Sequence, residues 1–380
     1  MTRRATATTG IIICALAAVN IAFAKPAGKP VDGLNDDSAN ESVDKPSKKS
    51  SGKPAEDAAA KEETRFKLSG LLETGFDINN KVDKSETESK IIGRGEIEIS
   101  ARPVKKVRAD FGIEYNLRDT FIVIDKMYGQ YSVTDFGAVR AGIMKKSFGL
   151  EERAGVDERY FHKRSIINDK LEEYGFLDHD LTLQYRYEMG KEWRFTGGFS
   201  WSVKDSLRYL QNYSAQYNMM ENLTFILAGI IRHYDIPEHI SRDYGVEGVA
   251  MTFAASLSAR YELPLWVSEA EFTLGTNPQI KILDKNRDAL ILGARLQEQF
   301  PIGVNTKILR QIIPVAEAAL YWDDLDNGSV DTQLRAGVAL GFAKNSAFQF
   351  RNTFGTVLRT QNDKTEVRRY RWDTEVVVIF

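Results

Sequence analysis

The sequence predicts an all-β membrane protein: a transmembrane antiparallel β-barrel of about sixteen strands, preceded by a disordered N-terminal linker. Three observations carry that expectation. An export signal opens the chain, a two-residue hydrophobic period runs from Arg65 onward, and the last strand ends on an aromatic residue, Phe380. Mean hydropathy is only −0.34, which would argue against a bundle of membrane-spanning helices. In a barrel that value is expected, because lipid-facing and lumen-facing side chains alternate and cancel within any window.

Residues 1–24 read as a signal peptide. Arg3 and Arg4 form the charged start, the stretch from Ile11 to Val19 is apolar but too short to span a bilayer, and Ala22-Phe23-Ala24 supplies the small-residue cleavage pattern. A lipoprotein signal needs a small residue before its cysteine, and Ile13 precedes Cys14. Cys14 is the only cysteine, so the processed chain has no disulfide, thiol nucleophile or cysteine metal site. The net charge of −2 advertises no basic field for nucleic acid.

Residues 25–64 are rich in Lys, Asp, Glu, Ser, Ala and Pro and hold no aromatic side chain. Such a stretch cannot bury enough apolar surface to offset its ordering entropy. It reads as a disordered periplasmic linker, passive in the first reading and a peptidoglycan tether in the second, since composition alone specifies no partner.

From Arg65 the period is two. Val107, Ala109, Phe111, Ile113 and Tyr115 alternate with Arg108, Asp110, Gly112 and Glu114; Trp193, Phe195, Phe199 and Trp201 alternate with Arg194, Thr196, Gly198 and Ser200. The final strand places Tyr370, Trp372, Val376, Val378 and Phe380 on one parity and Arg369, Arg371, Asp373 and Glu375 on the other. Segments of about ten residues with this dyad, parted by turn residues, are the sequence pattern of barrel strands. Strands are placed at 65–77, 88–101, 107–117, 121–133, 137–145, 179–188, 193–203 and 207–217. The second half adds 223–232, 246–261, 265–275, 288–297, 312–323, 330–343, 347–360 and 367–380. Two are irregular: the ninth is apolar on both faces, and the twelfth leaves a connection, 298–311, that is too long for a tight turn.

The connections alternate in length. Those near 102–106, 134–136, 189–192, 218–222, 262–264 and 344–346 are short, and those near 78–87, 146–178, 233–245, 276–287, 324–329 and 361–366 are mostly longer. Short periplasmic turns and long external loops are the expected asymmetry. Tyr187, Trp193, Tyr261 and Trp266 flank two of the short turns on the apolar parity, where an interfacial girdle belongs.

Two stretches resemble known outer-membrane families. Trp372, Val376, Val378 and Phe380 resemble the aromatic-terminated signal read by the barrel-assembly machinery of Gram-negative bacteria. The segment Val139-Arg140-Ala141-Gly142-Ile143-Met144-Lys145-Lys146-Ser147-Phe148-Gly149-Leu150-Glu151-Glu152 resembles a stretch of the phosphate-selective porin O/P type, and Glu158-Arg159 through Arg164-Ser165 is similar to that family's next segment. The resemblance implies an outer-membrane porin that assembles as a homotrimer in lipid and lipopolysaccharide, with the third external loop folded into the pore. That loop is 146–178, and Gly142 and Gly149 bracket the strand exit where the chain would bend inward.

A pore needs fixed charges facing water rather than a catalytic constellation. The lumen parity carries Arg94, Arg108, Arg140, Arg186, Arg194, Arg260, Arg295, Arg335, Arg351, Arg369 and Arg371, opposed by Glu96, Glu98, Asp110, Glu114, Glu269, Glu271, Glu317, Asp373 and Glu375. More than half of these should be ion pairs between neighbouring strands. The expected constriction residues are Arg140, Lys145, Lys146, Arg153, Arg159, Lys163 and Arg164, with Glu151 and Glu152 opposite. From Gly149 to Asp178 five basic residues face eight acidic ones, which argues against phosphate capture. The four histidines, His162, His179, His233 and His239, stand without a partner motif, so no enzyme is expected. Asp323-Asp324-Leu325-Asp326-Asn327-Gly328 has Leu325 at a calcium-ligand position, so it reads as a hairpin turn and no metal or cofactor is expected. The function read from these residues is diffusion of small hydrophilic or ionic solutes. The alternative is a plugged barrel serving as a cell-envelope anchor or adhesin.

Overall fold

Alternating side chains leave an extended backbone with one way to satisfy every N–H and C=O away from water, which is to pair strands until the sheet closes. A computed structural model describes residues 65–380 apart from 118–120, 156–157, 178, 202–206, 236–248, 280–288, 305, 307, 327–328 and 343–346. The signal peptide, the linker 25–64, His239 and the Asn327-Gly328 turn lie outside the described residues.

The strands are β1 (Arg65–Lys81), β2 (Glu86–Val104), β3 (Val107–Asn116), β4 (Phe121–Ser132), β5 (Gly137–Lys145), β6 (His179–Met189), β7 (Trp193–Trp201) and β8 (Leu207–Met220). They continue as β9 (Leu223–Asp235), β10 (Val249–Leu263), β11 (Trp266–Thr276), β12 (Leu290–Gln299), β13 (Ile302–Gly303), β14 (Gln311–Trp322), β15 (Val330–Gly341), β16 (Phe348–Gln361) and β17 (Lys364–Ile379). Neighbours along the chain pair antiparallel, and β1 pairs with β17 to close the sheet. Both β12 and the two-residue β13 pair with β14, so they share one position and the barrel has sixteen.

That shared position corrects the expected 298–311 connection. Pro301 has no N–H to give the ladder and interrupts it. Phe300 N donates to Pro314 O at 3.0 Å, pairing resumes at Ile302–Gly303, and Val304 N donates to Arg310 O at 2.8 Å where the hairpin turns. The connections expected at 78–87 and 361–366 are also shorter, because their strands continue. Asn79, Asn80 and Lys81 still pair with Glu88, Thr87 and Glu86, and Lys81 forms ion pairs with Glu86 and Glu88. Polar side chains extend the ladder there without the apolar parity that marked it in sequence.

Register sorts the two faces. Leu72, Ile91, Leu183, Leu227, Leu257, Phe354 and Trp372 are among the large apolar side chains exposed outside, an apolar belt far larger than a water-soluble protein leaves open. Trp193 stacks on Tyr217 with centroids 4.3 Å apart, and Tyr261 meets Trp266 edge-on at 5.8 Å. The ladders align Arg94 with Asn116, Arg186 with Thr196, Arg260 with Glu269, Arg335 with Glu317 and Arg351 with Glu375 on the inner parity. The expected lumen face is therefore the inner face.

Candidate pore constriction

Two glycines in the positive-φ region bracket the end of β5, Gly142 within the strand at 142° and Gly149 beyond it at 61°. A Cβ on Gly149 would stand 2.5 Å from Glu271 Oε1. Glu271, on the far wall, accepts from Leu150 N at 2.8 Å and Glu151 N at 3.4 Å. The loop thus crosses the lumen within a few residues of its strand and continues as α1 (Leu150–Arg153) and α2 (Ile166–Glu173). Ser165 caps α2, accepting from Asn168 N at 3.4 Å.

Charge fastens it. Glu151 accepts from Ser165 N at 2.6 Å and from the Ser165 hydroxyl, and it lies 3.9 Å from both Arg295 and Arg335. Burial alone would raise the Glu151 pKa, but Arg295, Arg335 and the Ser165 hydrogen bonds outweigh it and hold the carboxyl below its ordinary value. Glu152 pairs with Arg164 at 2.6 Å. At the loop tip, His162 Nδ1 stands 2.6 Å from Glu73 on β1 and 3.5 Å from Glu375 on β17. Burial opposes the charged imidazole, yet the facing carboxylates of Glu375 and Glu73 push its pKa up to about 9.

Apolar packing does the rest. Phe148, Ile167, Leu171, Tyr174, Phe176 and Leu177 from the loop form one buried cluster with Leu210, Ala228, Ile230, Ala254, Ile291, Ala319 and Tyr321 of the wall. Among the described residues, the largest apolar core therefore lies inside the lumen. This explains why β9 is apolar on both faces: Ile226, Ala228 and Ile230 point inward, and the last two meet the loop. Gly293 admits Ile167, whose side chain would lie 2.9 Å from an added Cβ.

These contacts divide the expected constriction set. Lys146 is 2% exposed and paired with Asp180 at 2.7 Å; Glu151 and Glu152 are 4% and 1% exposed. These three were expected to line the pore; each is buried beside a countercharge. Arg164 is spent on Glu152 and on Glu172 at 3.4 Å. Arg153 donates to Gln216 at 3.1 Å, Lys145 ends β5 opposite His179, and Lys163 is exposed. Arg140 donates to Gln130 at 2.7 Å and lies 5.5 Å above the Tyr128 ring. Half-buried Arg159 makes no ion pair among the described residues, and its Nε has no hydrogen-bond partner. Burial and the guanidinium groups of Arg164 and Arg94 push the Arg159 pKa below the usual arginine value.

On the wall, nine of the eleven inner arginines pair with carboxylates, among them Arg94 with Glu114 at 2.6 Å, Arg260 with Glu269 at 2.8 Å and Arg295 with Glu317 at 2.9 Å. Sequence reasoning missed the fasteners. It had Arg295, Arg335, Glu271 and Glu375 on the right face with no sign of the loop they hold, and it left His162 without partners although Glu73 lies 89 residues away in the chain.

No family model matches the chain, and no curated protein matches it in sequence. Solved structures match it in fold. An anion-selective porin from Comamonas acidovorans aligns over 84% of this chain and 100% of its own, with a TM-score of 0.61 and 12% identity. The porin fold is established. The outer-membrane channel DcaP of Acinetobacter baumannii aligns over 84% of this chain and 99% of its own, with TM-score 0.58 and 10% identity. The trimer form of OmpT, an outer membrane protein of Vibrio cholerae, aligns over 83% and 99%, with TM-score 0.55 and 14% identity. At such identities the likeness is one of architecture.

Proposed function

We propose that the chain forms a water-filled pore in the bacterial outer membrane, without catalytic activity, through which small hydrophilic solutes diffuse with a preference for anions. The observation that carries the preference is the fate of the loop's charges. Counted in sequence, the loop is acidic; folded, Lys146, Glu151 and Glu152 are buried in pairs while Arg159, near Arg94 and Arg164, makes no ion pair among the described residues. Arg140 on β5 likewise has an amide rather than a carboxylate partner. Unneutralised guanidinium groups in confined water attract anions, and their planar fork suits phosphate or carboxylate. The resemblance of 139–152 to phosphate-selective porins makes inorganic phosphate the first solute to examine. Homotrimeric assembly, delivery by the barrel-assembly machinery through Trp372, Val376, Val378 and Phe380, contact with lipopolysaccharide, and a peptidoglycan tether at 25–64 complete the reading.

Planar-bilayer recording tests it. The folded protein should give stable ohmic steps, and in a KCl gradient the reversal potential should have the sign of anion preference. Arg159→Glu should move that potential toward cations. Arg164→Glu is a poorer probe, because it also unfastens Glu152. Phosphate should depress the chloride current if the pore is of the phosphate-selective kind. A folded barrel that passes no current would give way to the plugged anchor or adhesin, and an unmoved potential in Arg159→Glu would refute the constriction assignment.

A further inference from the structure

The loop tip assembles a group of side chains that solute passage does not require. His162 Nδ1, a carboxylate oxygen of Glu73 and one of Glu375 all lie within 4.8 Å of one another. Glu73 and Glu375 are each 2% exposed. Glu375 Oε1 is held by Arg351 Nη1 at 3.4 Å, whereas its Oε2 is buried, accepts no hydrogen bond and points at the imidazole from 3.5 Å. Arg351 reaches only Glu375 Oε1, so Glu375 Oε2 and the Glu73 carboxylate converge on the imidazole from the two strands that close the barrel. A divalent cation among these three groups would take one ligand atom from each.

We propose that Glu73, His162 and Glu375 form a binding site for a divalent transition cation of the zinc class, with its remaining coordination position open to lumen water. Zinc takes imidazole and carboxylate ligands at about 2.0–2.2 Å in tetrahedral array, which sets ligand atoms about 3.4 Å apart. The His162–Glu375 separation of 3.5 Å already meets this. The His162–Glu73 contact of 2.6 Å must open by about 0.8 Å, the range of a small χ adjustment. The imidazole selects the metal class, since calcium and magnesium favour all-oxygen shells. Arg351 then acts as the outer partner that orients Glu375. The acidic group Glu96, Glu98 and Asp125 is different: Lys126 already pairs with Glu98, and His179 lies 3.1 Å from Asp125. A bound ion would tie the loop tip to the first and last strands across the seam that closes the barrel.

The test uses the full-length untagged protein folded in detergent, stripped with EDTA and dialysed against zinc chloride. Equimolar zinc should remain by atomic emission, and zinc but not magnesium should raise the temperature at which the folded band is lost on unboiled gels. His162→Gln and Glu375→Gln should each lose the retained zinc, while His179→Gln keeps it. Glu375→Gln leaves His162 its Glu73 partner, so it decides the matter if His162→Gln does not fold. Absence of zinc in the folded wild type, retention in Glu375→Gln, or loss in His179→Gln would each overturn the site.

Discussion

A carboxylate buried inside a barrel must meet positive charge or take up a proton, and Glu151 meets Arg295 and Arg335. Its folded-state pKa is lowered. A depressed carboxylate pKa contributes stability that is in full force above the ordinary value, about 4.3, and is lost as pH falls through the lower folded value. The loop should therefore stay docked from neutral pH down through the ordinary carboxylate range and detach only below it. Single-channel conductance against pH, paired with protease cleavage within 146–178, checks this. Glu151→Gln removes one side of a buried charge cluster, and such losses cost about 3–5 kcal/mol. Because Glu317 and Glu269 still face Arg295 at 2.9 and 3.4 Å, the lower end applies. The variant should show the acid phenotype, larger and noisier conductance, at neutral pH. A wild-type pH profile in Glu151→Gln would remove the residue from its fastening role.

At the scale of elements, the loop's docking rests on α2 meeting the inner wall. Ile167 is 2% exposed and lies against Gly293. Truncating a buried isoleucine to alanine costs about 2–5 kcal/mol. Here the loss should fall on docking alone, since no strand-to-strand hydrogen bond involves the side chain. Ile167→Ala should speed protease cutting of the loop while leaving the melting of the folded band unchanged; a matching fall in both would mean that loop and barrel unfold together. The strands themselves were legible because alternation is enforced by lipid on one side and water on the other. Where either condition lapses, so does the signal. β9 lost its parity because its inner face meets the loop rather than water. The tip of β1 lost it by rising beyond the apolar belt on polar residues such as Asn79 and Lys81. Pro301 hid β13 by breaking a ladder that then resumed. The loop was legible as an inward crossing through Gly149, but its orientation was not. Glu151 and Arg159 look alike as loop charges in sequence, and only contacts made by closing the barrel decide that one is buried against countercharge and the other is half-buried with no ion pair among the described residues.

Over the whole molecule, charge is abundant and nearly cancelled. Pairs such as Arg371 with Asp77 at 2.8 Å and Arg359 with Asp331 at 2.6 Å join positions far apart in the chain into local neutral units. Such units contribute short-range dipoles, so in the proposed pore the net field would fall to the groups without a carboxylate partner among the described residues, Arg140 and Arg159 foremost, with exposed Arg369 beyond them. Two consequences separate this arrangement from a lumen lined with many free arginines. Ions entering the pore screen fixed charge over about 10 Å at 0.1 M salt and about 3 Å at 1 M. Anion preference set by a few guanidinium groups should therefore be marked in dilute KCl and nearly vanish in concentrated KCl, while conductance keeps rising with salt. Replacing both arginines, as Arg140→Gln with Arg159→Gln, should abolish the preference even in dilute salt without altering the strand register that pairs Arg140 with Gln130 and Gln184. Reversal potentials of the wild type and the double variant across a series of KCl concentrations measure both effects. If the double variant kept its anion preference, the field would have to come from the paired arginines of the wall, and the ion pairs would be looser in the open pore than the folded geometry makes them.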